Sequence, residues 1–334
     1  MRALVITGPK TAEVQDVEPP EATPGHVVVD VERVGVCGTD MELFAGDMSY
    51  LDSGQSGYPL RPGHEWCGRV RAVGDGVDPR WLGRRVTGDT MLGCGRCERC
   101  RRGRGHVCDD RSEIGIRNFP GALAESLAVP ETALHALPDA VDATLGALVE
   151  PGGNALRAVR GAATGPGDRL LVLGTGTIGL LVALFGRARG AEVHLMGREE
   201  PELRLARSLG FEASVLPGLP SRAWDAVVDA TNGVEVPALA LRLVEPAGRV
   251  VYIGLSAMPS TIDTREVALK DVTVVGILGA SAGLAEAITA YAEGSVDARP
   301  LVAATVGLDA AAGVLAGRRP PGIGPKIHID PRLG

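Results

Sequence analysis

The feature that most constrains the fold of this 334-residue sequence is an apolar run followed at once by three spaced glycines. Residues 169–173, Arg-Leu-Leu-Val-Leu, have the composition of a fully buried strand. Gly174, Gly176 and Gly179 come next, and the apolar residues 180–188 then suit a helix. In this order, the backbone N–H groups and the positive end of the helix can hold a pyrophosphate. The stretch therefore predicts a dinucleotide-binding unit, which the spacing of the glycines alone would indicate only weakly.

Strand and helix patterns alternate after these glycines, which is typical of βαβ units. The apolar, β-branched runs predict strands, and the periodic segments between them predict helices. The predicted strands are Glu192–Met196, Ala226–Asp229, Arg249–Ile253 and Thr273–Gly276, and the predicted helices are Pro201–Leu209 and Pro237–Val244. The fold class predicted for this part is α/β, with a doubly wound parallel sheet of the Rossmann type.

The first 150 residues have a different character, because short alternating runs are separated there by proline and glycine. This pattern predicts a β-rich domain. Residues 47–62 are polar, contain glycine and lack periodicity, so they predict a surface loop near the site. A last strand at 325–329 is expected to return to this first domain.

Composition excludes several classes of function. The net charge of −7 argues against nucleic-acid binding through bulk electrostatics. No apolar run reaches the roughly 18 residues that a membrane span needs. The start, Met1–Ile6, resembles a first strand more than a secretory signal. Four of the six cysteines lie within fifteen residues, which favours a metal over a disulfide framework and a cytoplasmic location.

The end of the second predicted strand bears on the choice of cofactor. An acidic residue at this place would bind the ribose 2′-hydroxyl of NAD, but the sequence has Gly197 and Arg198 there. Glycine leaves room for a 2′-phosphate and arginine can pair with it, so NADP(H) is favoured. Two alternatives keep NAD(H) open: Arg198 could stack on the adenine, and Glu199 or Glu200 could bind the ribose.

Two groups of residues have the composition of zinc sites. Cys94, Cys97, Cys100 and Cys108 offer four thiolates at the spacing of a closed structural site. These four lie among charged residues, so an exposed loop with a role in stability or subunit contact is expected.

The second group combines Cys37 with His64 and Glu65, the ligand types of a catalytic zinc with an open position. Cys67 is predicted to lie on a strand as a core residue and not as a ligand. Glu150, before a proline at the expected domain junction, is either a fourth ligand or a hydrogen-bond partner of metal-bound water.

These motifs resemble, in order and over essentially the whole chain, the zinc-dependent medium-chain dehydrogenases/reductases. The motifs are Gly35–Asp40 (Gly-Val-Cys-Gly-Thr-Asp), Gly63–Glu65, the four cysteines, Glu150–Pro151 and the glycine motif. The resemblance implies a GroES-like catalytic domain over 1–155, with the structural-zinc lobe at about 90–110. It also implies a Rossmann domain over 156–289, a return of 290–334 to the catalytic domain, and two zinc ions per chain.

The resemblance also implies roles for individual residues. Thr39 would accept the substrate's hydroxyl proton, and Asp40 would orient the loop or a ligand. The similarity is strongest to the sugar and polyol branch, including glucose 1-dehydrogenases of the archaeal type, and it implies substrate binding by Glu42, Glu113 and Asn154. The implied cofactor-binding residues are Gly174, Gly176, Thr177, Ile178, Gly179, Gly197, Arg198, Thr231 and Gly254.

The chain also departs from the glucose enzymes. Residues 278–283 are mostly small and apolar where those enzymes place polar side chains, which leaves room for a larger ring such as an aminocyclitol. An L-threonine or simple alcohol dehydrogenase of the same fold is one alternative, and a non-catalytic, zinc-stabilised NADP-binding protein is another. The expected partners are a small-molecule substrate and further copies of the chain, as a dimer or tetramer.

Overall fold

The computed structural model describes residues 1–333. Its strands are β1 (Arg2–Gly8), β2 (Thr11–Asp16), β3 (His26–Gly35), β4 (Glu65–Val73), β5 (Arg85–Gly88), β6 (Met91–Leu92), β7 (Ser112–Ile114), β8 (Asn118–Phe119), β9 (Ser126–Pro130), β10 (Leu134–Ala136), β11 (Arg169–Leu173), β12 (Glu192–Gly197), β13 (Glu212–Val215), β14 (Trp224–Asp229), β15 (Val244–Tyr252), β16 (Thr273–Gly276), β17 (Val302–Gly307) and β18 (Lys326–Asp330).

The α-helices are shorter and lie between these strands. They are α1 (Gly38–Ala45), α2 (Ser49–Asp52), α3 (Glu98–Arg101), α4 (Ala143–Ala147), α5 (Val149–Ala162), α6 (Thr177–Ala188), α7 (Arg204–Ser208), α8 (Val236–Leu243), α9 (Thr264–Leu269), α10 (Leu284–Ala292) and α11 (Ala311–Leu315). Single 3₁₀ turns cover Pro79–Trp81, Gly105–Val107, Glu131–Ala133, Glu200–Leu203, Leu216–Gly218, Arg299–Leu301 and Leu308–Ala310.

The first compact unit consists of Met1–Glu150, Ile288–Glu293 and Val302–Gly334. Its main sheet has the order β10-β5-β4-β3-β18-β17, with β9 also paired to β3. Strand β3 lies inside this sheet, between β4 and β18. Its inward side chains, Val27, Val29, Val31 and Val34, are all buried. These valines belong to one apolar core that also takes in the first and last strands. The β-rich first domain is therefore held together by strands from both ends of the chain.

The second compact unit consists of Pro151–Ala287 and Gly294–Leu301. Its sheet has the order β13-β12-β11-β14-β15-β16, and every pairing is parallel. Residues 170–173 of β11 are fully buried, as expected for a strand covered on both faces. This strand order is that of a doubly wound sheet with its switch point beside β11. The predicted α/β class, a GroES-like β-rich part plus a Rossmann-type sheet, is confirmed.

Local details differ from the predictions at a few places. Ser49–Asp52 form a helical turn inside the segment predicted as a surface loop. The strand predicted at 249–253 begins earlier, at Val244. Cys67 is fully buried in β4, as predicted. In the described part of the chain, no helix combines the length and the apolar character that crossing a membrane requires.

Candidate metal centres and dinucleotide site

One short loop brings four cysteines together. The sulfur atoms of Cys94, Cys97, Cys100 and Cys108 all lie within 4.8 Å of one another, and the thiols are free. The Sγ atoms of Cys97 and Cys108 are 3.7 Å apart. A tetrahedron with zinc–sulfur bonds of about 2.3 Å has edges of about 3.8 Å, whereas a disulfide bond is only about 2.05 Å long. The four cysteines therefore fit a closed structural zinc.

Backbone geometry prepares this loop for thiolates. Cys97 precedes α3, and its sulfur accepts a hydrogen bond from the N–H of Cys100 at 3.5 Å. The N–H groups of Arg96 and Cys97 lower the pKa of Cys94 to about 6, whereas burial and the neighbouring sulfur of Cys97 raise the pKa of Cys100 to about 12. A Cβ atom on Gly93 would lie 2.8 Å from the Cys100 sulfur, so the close approach requires glycine.

A second group combines Cys37, His64 and Glu65, whose ligand atoms also lie within 4.8 Å of one another. Cys37 stands just before α1, and the other two stand at the start of β4. His64 and Glu65 are buried, and Cys37 is half-buried. Thiolate, imidazole and carboxylate suit zinc, and three protein ligands leave one position for a substrate oxygen. The donor set therefore fits a catalytic zinc.

Asp40 lies in contact with both parts of this group and is fully buried. Its Oδ2 accepts a hydrogen bond from the N–H of Cys37 at 2.9 Å, and its Oδ1 accepts one from the N–H of Gly63 at 3.1 Å. Oδ1 also lies 3.4 Å from Nδ1 of His64. Burial alone would raise the pKa of Asp40, but His64 and the two N–H groups lower it below its usual value. A carboxylate beside Nδ1 orients the imidazole and leaves Nε2 for a metal.

Glu65 is held from the other side by a lysine that sequence reasoning missed. The Nζ of Lys326 donates to both carboxylate oxygens of Glu65, at 2.8 and 2.7 Å, and to the carbonyl of Val36 at 2.9 Å. Burial would lower the pKa of Lys326, but Glu65 and then Cys37 raise it, so the ammonium stays charged. Gly35 lies opposite Glu65 in the β3–β4 pairing, and a Cβ there would be 2.2 Å from Oε2.

Four other predicted residues have the following places. Glu150 is buried at the second position of α5, and its carboxylate lies outside the group of three. Thr39 is half-buried in the first turn of α1. Glu42 is exposed on the same helix, and its pKa is raised by desolvation and by Asp47. Asn154 is half-buried on α5, within the second unit.

Glu113 is buried and belongs to a cluster of three side chains. Its Oε1 accepts hydrogen bonds from Nε of Arg111 at 2.7 Å and from the hydroxyl of Tyr50 at 3.2 Å. Arg111 also donates to the Tyr50 hydroxyl at 3.0 Å and to the carbonyl of Cys108 at 3.2 Å. The oxygen Oε2 of Glu113 accepts no hydrogen bond from the side chains and backbone described between residues 1 and 333.

Backbone contacts place the strand of Glu113 against the segment of His64. The N–H of Ile114 donates to the carbonyl of Thr90 at 3.0 Å, and the Thr90 hydroxyl donates to the carbonyl of His64 at 3.3 Å. A Cβ on Gly115 would lie 2.7 Å from the carbonyl oxygen of Gly63, so these two glycine backbones pack directly together. Glu113 is therefore part of the surroundings of the second metal group.

In the second unit, the glycine motif forms the turn between β11 and α6. Gly174 has φ +105°, and Gly179 packs so closely that a Cβ there would lie 2.0 Å from the carbonyl oxygen of Gly174. A Cβ on Gly176 would meet nothing within 4 Å, so the space beside it is open. Thr177 and Ile178 then begin α6. An open glycine backbone at the start of a twelve-residue helix suits a pyrophosphate.

The other predicted dinucleotide contacts follow the carboxyl ends of neighbouring strands. Asp229, at the end of β14, accepts hydrogen bonds from the N–H and the hydroxyl of Thr231 at 2.9 and 2.7 Å. Gly254 follows β15, and a Cβ there would lie 1.7 Å from the Thr231 carbonyl oxygen. Gly197 ends β12, and a Cβ there would be 2.6 Å from Leu203, which gives this glycine a packing role. In doubly wound sheets, ligands bind at this edge.

Comparison with known proteins agrees with this architecture. Residues 23–139 match the alcohol dehydrogenase GroES-like domain, and residues 177–293 match the zinc-binding dehydrogenase domain. An L-threonine 3-dehydrogenase of Sinorhizobium fredii (strain NBRC 101917 / NGR234) is 30% identical over 328 residues, which cover 93% of each chain. One from Saccharopolyspora erythraea is 34% identical over 295 residues, 84% of each chain.

Among solved structures, a protein from Sinorhizobium meliloti 1021 described as a zinc-binding dehydrogenase, bound to NADP, superposes with a TM-score of 0.91. It is 28% identical, and the match covers 99% of both chains. The chain thus belongs to the medium-chain dehydrogenase/reductase family. It is a zinc-binding, NAD(P)-dependent dehydrogenase, so the alternative of a non-catalytic binding protein is set aside.

Proposed function

We propose that this dehydrogenase acts on a secondary alcohol or lactol of a sugar, polyol or cyclitol, or on the matching carbonyl compound, with NADP favoured. The proposed substrate class rests on the surroundings of Glu113. Its carboxylate is buried and held through Oε1, while Oε2 accepts no hydrogen bond from the described residues. Such an oxygen accepts a substrate hydroxyl, and a polyhydroxylated ring or chain offers several.

The position of Glu113 supports this role. Its strand is hydrogen-bonded through Thr90 to the segment of His64. We therefore assign Glu113 to bind a second hydroxyl of the substrate beside the metal group. Glu42 and Asn154 are further candidates for hydroxyl binding. The small residues 278–283 leave room for a ring larger than glucose.

The reaction is the oxidation of the alcohol to a carbonyl group. Cys37, His64 and Glu65 would hold the zinc, which would supply Lewis acidity and so lower the pKa of the substrate hydroxyl. Thr39 takes the hydroxyl proton and passes its own proton on, and the bound nicotinamide would accept the C–H hydrogen with its electron pair as a hydride. Lys326 orients Glu65 through hydrogen bonds to both carboxylate oxygens. Glu150 is assigned as a hydrogen-bond partner of bound water, with direct ligation as its alternative role.

The preference for NADP rests on Arg198, which follows β12 where a 2′-phosphate would bind. The solved relative from Sinorhizobium meliloti binds NADP, which supports this choice. NAD remains the alternative cofactor.

We also propose a homo-oligomer. Strand β16 is an edge strand, and Val274 on it and Leu269 just before it are exposed to 39% and 87%. An apolar edge strand of this kind suits pairing with a second copy. Light scattering on Val274→Lys, beside the wild type, tests the pairing, since a charge on the edge should dissociate the oligomer.

L-Threonine is the second candidate substrate, because threonine dehydrogenases are among the relatives of this chain. A panel of D-glucose, sorbitol, myo-inositol, an aminocyclitol and L-threonine, each with NADP and with NAD, separates the candidates. We expect activity on polyhydroxylated substrates. Activity confined to threonine, or to simple alcohols, would overturn the proposed substrate class.

Glu113→Gln sharpens this test. A carboxamide accepts weaker hydrogen bonds than a carboxylate, so KM for the polyol should rise about tenfold, with a smaller change in kcat. Glu13→Gln, on the exposed β2, is the matched control. An unchanged KM in Glu113→Gln would remove Glu113 from substrate binding.

A further inference from the structure

The residues after β12 contain an ion pair whose acidic member, Glu202, has no role in the proposed cofactor site. Glu202 lies in the 3₁₀ turn Glu200–Leu203 and directs its carboxylate back to Arg198. Oε2 accepts a hydrogen bond from the Arg198 N–H at 3.1 Å, and Oε1 accepts one from Nη2 of the guanidinium at 3.0 Å. One carboxylate therefore binds the backbone donor and the side-chain donor of the same arginine.

The backbone around this pair fixes the position of Glu202. The N–H of Glu202 donates to the carbonyl of Glu199 at 3.1 Å, which closes the turn. The next residue, Leu203, is fully buried, and it lies so close to Gly197 that a side chain at 197 would collide with it. The carboxylate is thus presented to Arg198 by a turn anchored in the core. The Arg198 side chain is itself 82% exposed, so the pair depends on this support.

The donors that Glu202 occupies are those that a 2′-phosphate would need. Phosphate binding at the end of this strand relies on a guanidinium and on backbone N–H groups. A carboxylate carries the same sign of charge and offers two oxygens in a similar fork. A phosphate that takes the backbone N–H and Nη2 must displace Glu202, and one that uses the other guanidinium donors binds beside its negative charge. A ribose 2′-hydroxyl can instead donate to the carboxylate and leave the pair intact.

We infer that Glu202 is an internal competitor for the 2′-phosphate and sets how strongly the enzyme discriminates NADP from NAD. This inference rests on the proposed placement of the 2′-phosphate at Arg198. The two other acids of the segment differ from Glu202: Glu200 pairs with Arg207 at 2.8 Å, and the exposed Glu199 precedes the turn. Glu202 is therefore the acid whose removal frees Arg198.

The test measures binding, not turnover. The zinc-loaded full-length enzyme is titrated by calorimetry with NADP and with NAD in 0.15 M salt. In Glu202→Gln, the Kd for NADP should fall about five- to tenfold, because the competing charge is gone. The Kd for NAD should stay the same or rise up to about threefold, because the hydroxyl loses its ionised acceptor. Adenosine 2′,5′-bisphosphate and 5′-AMP, used as a second pair of ligands, should repeat the difference.

Glu192→Gln is the control, since it removes an equal charge from the exposed start of β12 but leaves Arg198 paired. It should change both Kd values by less than about twofold, because exposed charges are screened at this salt concentration. An unchanged or higher Kd for NADP in Glu202→Gln overturns the inference, as does an equal gain in the Glu192→Gln control.

Arg198→Ala distinguishes this failure from a failure of the proposed cofactor site. If the site is correct, this substitution should raise the Kd for NADP more than about tenfold and that for NAD less than about threefold. If NADP binding survives in Arg198→Ala, the 2′-phosphate is bound elsewhere and the proposed preference fails. If it is lost there but Glu202→Gln changes nothing, only the competition is refuted.

Discussion

The two cysteine-containing groups of the first unit differ both in their ligand types and in their surroundings. The four cysteines of the lobe come from one loop of fifteen residues, and Arg99, Arg101 and Arg102 beside them are exposed. The group of Cys37, His64 and Glu65 is assembled from separate segments and is lined by further charges. A closed site needs only its ligands, whereas an open site in a buried position must also keep those ligands charged and oriented.

The buried group achieves this with a chain of opposite charges. Asp40 contacts His64 on one side, and Lys326 binds Glu65 on the other. Each buried charge has a partner within 3.4 Å, as a low-dielectric interior requires. The comparison therefore predicts that substitutions in the buried group affect chemistry and stability together, whereas those among the exposed charges of the lobe affect neither.

The largest expected effect comes from removing one ligand from each group. Cys37→Ser should lower kcat/KM by at least about 10³, a loss of about 4 kcal/mol of transition-state stabilisation. Metal analysis should then show about one zinc per chain instead of about two. Cys100→Ser should remove the other zinc and loosen the lobe, because a structural site contributes folding energy.

The control is the metal that each variant keeps. Cys37→Ser should keep the lobe zinc, and Cys67→Ser, outside both groups, should keep both ions. Full activity of Cys37→Ser, or loss of both ions from it, would contradict the assignment of separate catalytic and structural sites.

The second prediction concerns Lys326. In Lys326→Met, Glu65 would keep its buried charge without a partner, so the free energy of unfolding should fall by about 3–5 kcal/mol. Urea denaturation of the zinc-loaded protein measures this loss. The double variant Lys326→Met/Glu65→Gln should recover part of it, because the uncompensated charge is removed. A single variant as stable as the wild type would mean that the metal alone balances Glu65.

The third prediction is a dependence on pH from His328, which shares β18 with Lys326. Burial, followed by the charges of Lys326 and Arg33, lowers the pKa of His328 to about 3. Neither ring nitrogen finds a hydrogen-bond partner among residues 1–333. The imidazole is thus neutral in the fold, and the unfolded chain takes up a proton below pH of about 6.5. Stability should be complete above this pH and fall as the pH drops towards 3, by about 2 kcal/mol at pH 5.

The variant His328→Leu isolates this contribution. The difference in unfolding free energy between wild type and variant should change with pH between 6.5 and 3, and it should be constant above 7. His26→Gln, at the start of β3, serves as the control. A parallel pH dependence in wild type and His328→Leu would show that this imidazole is not the group that titrates.

Sequence patterns predicted those parts of the molecule whose structure is determined by residues close together in the sequence. The parallel sheet follows from apolar runs such as β11, and the strand at Thr273–Gly276 has the predicted bounds. The grouping of the four cysteines needed no tertiary information, since their spacing already predicts it, and the structure brings their sulfur atoms together. Cys37, His64 and Glu65 were also selected by their chemistry, and the structure brings their ligand atoms together.

The residues that sequence reasoning missed act over long distances in the chain. Lys326 lies 261 positions after Glu65, and nothing in a strand pattern indicates that a lysine is buried. The rarity of lysine was the available signal, because the chain has only three lysines. Tyr50 escaped notice for the same reason, because it lies 63 positions from Glu113. Arg111 is the exception: it lies only two positions from Glu113, and the fold then brings Tyr50 to both side chains.

The smallest expected effect comes from breaking an exposed ion pair in the four-cysteine lobe. Glu98 and Arg102 form an i,i+4 pair at 2.8 Å on α3, with 74% and 68% of their side chains exposed. Water and salt screen such a pair, and ordering the two side chains costs most of what it contributes. Glu98→Gln should therefore shift the thermal midpoint by less than about 1 °C and leave zinc content and activity unchanged. Because Lys326→Met also breaks one ion pair, a shift of similar size in both variants would show that burial does not distinguish the two regions.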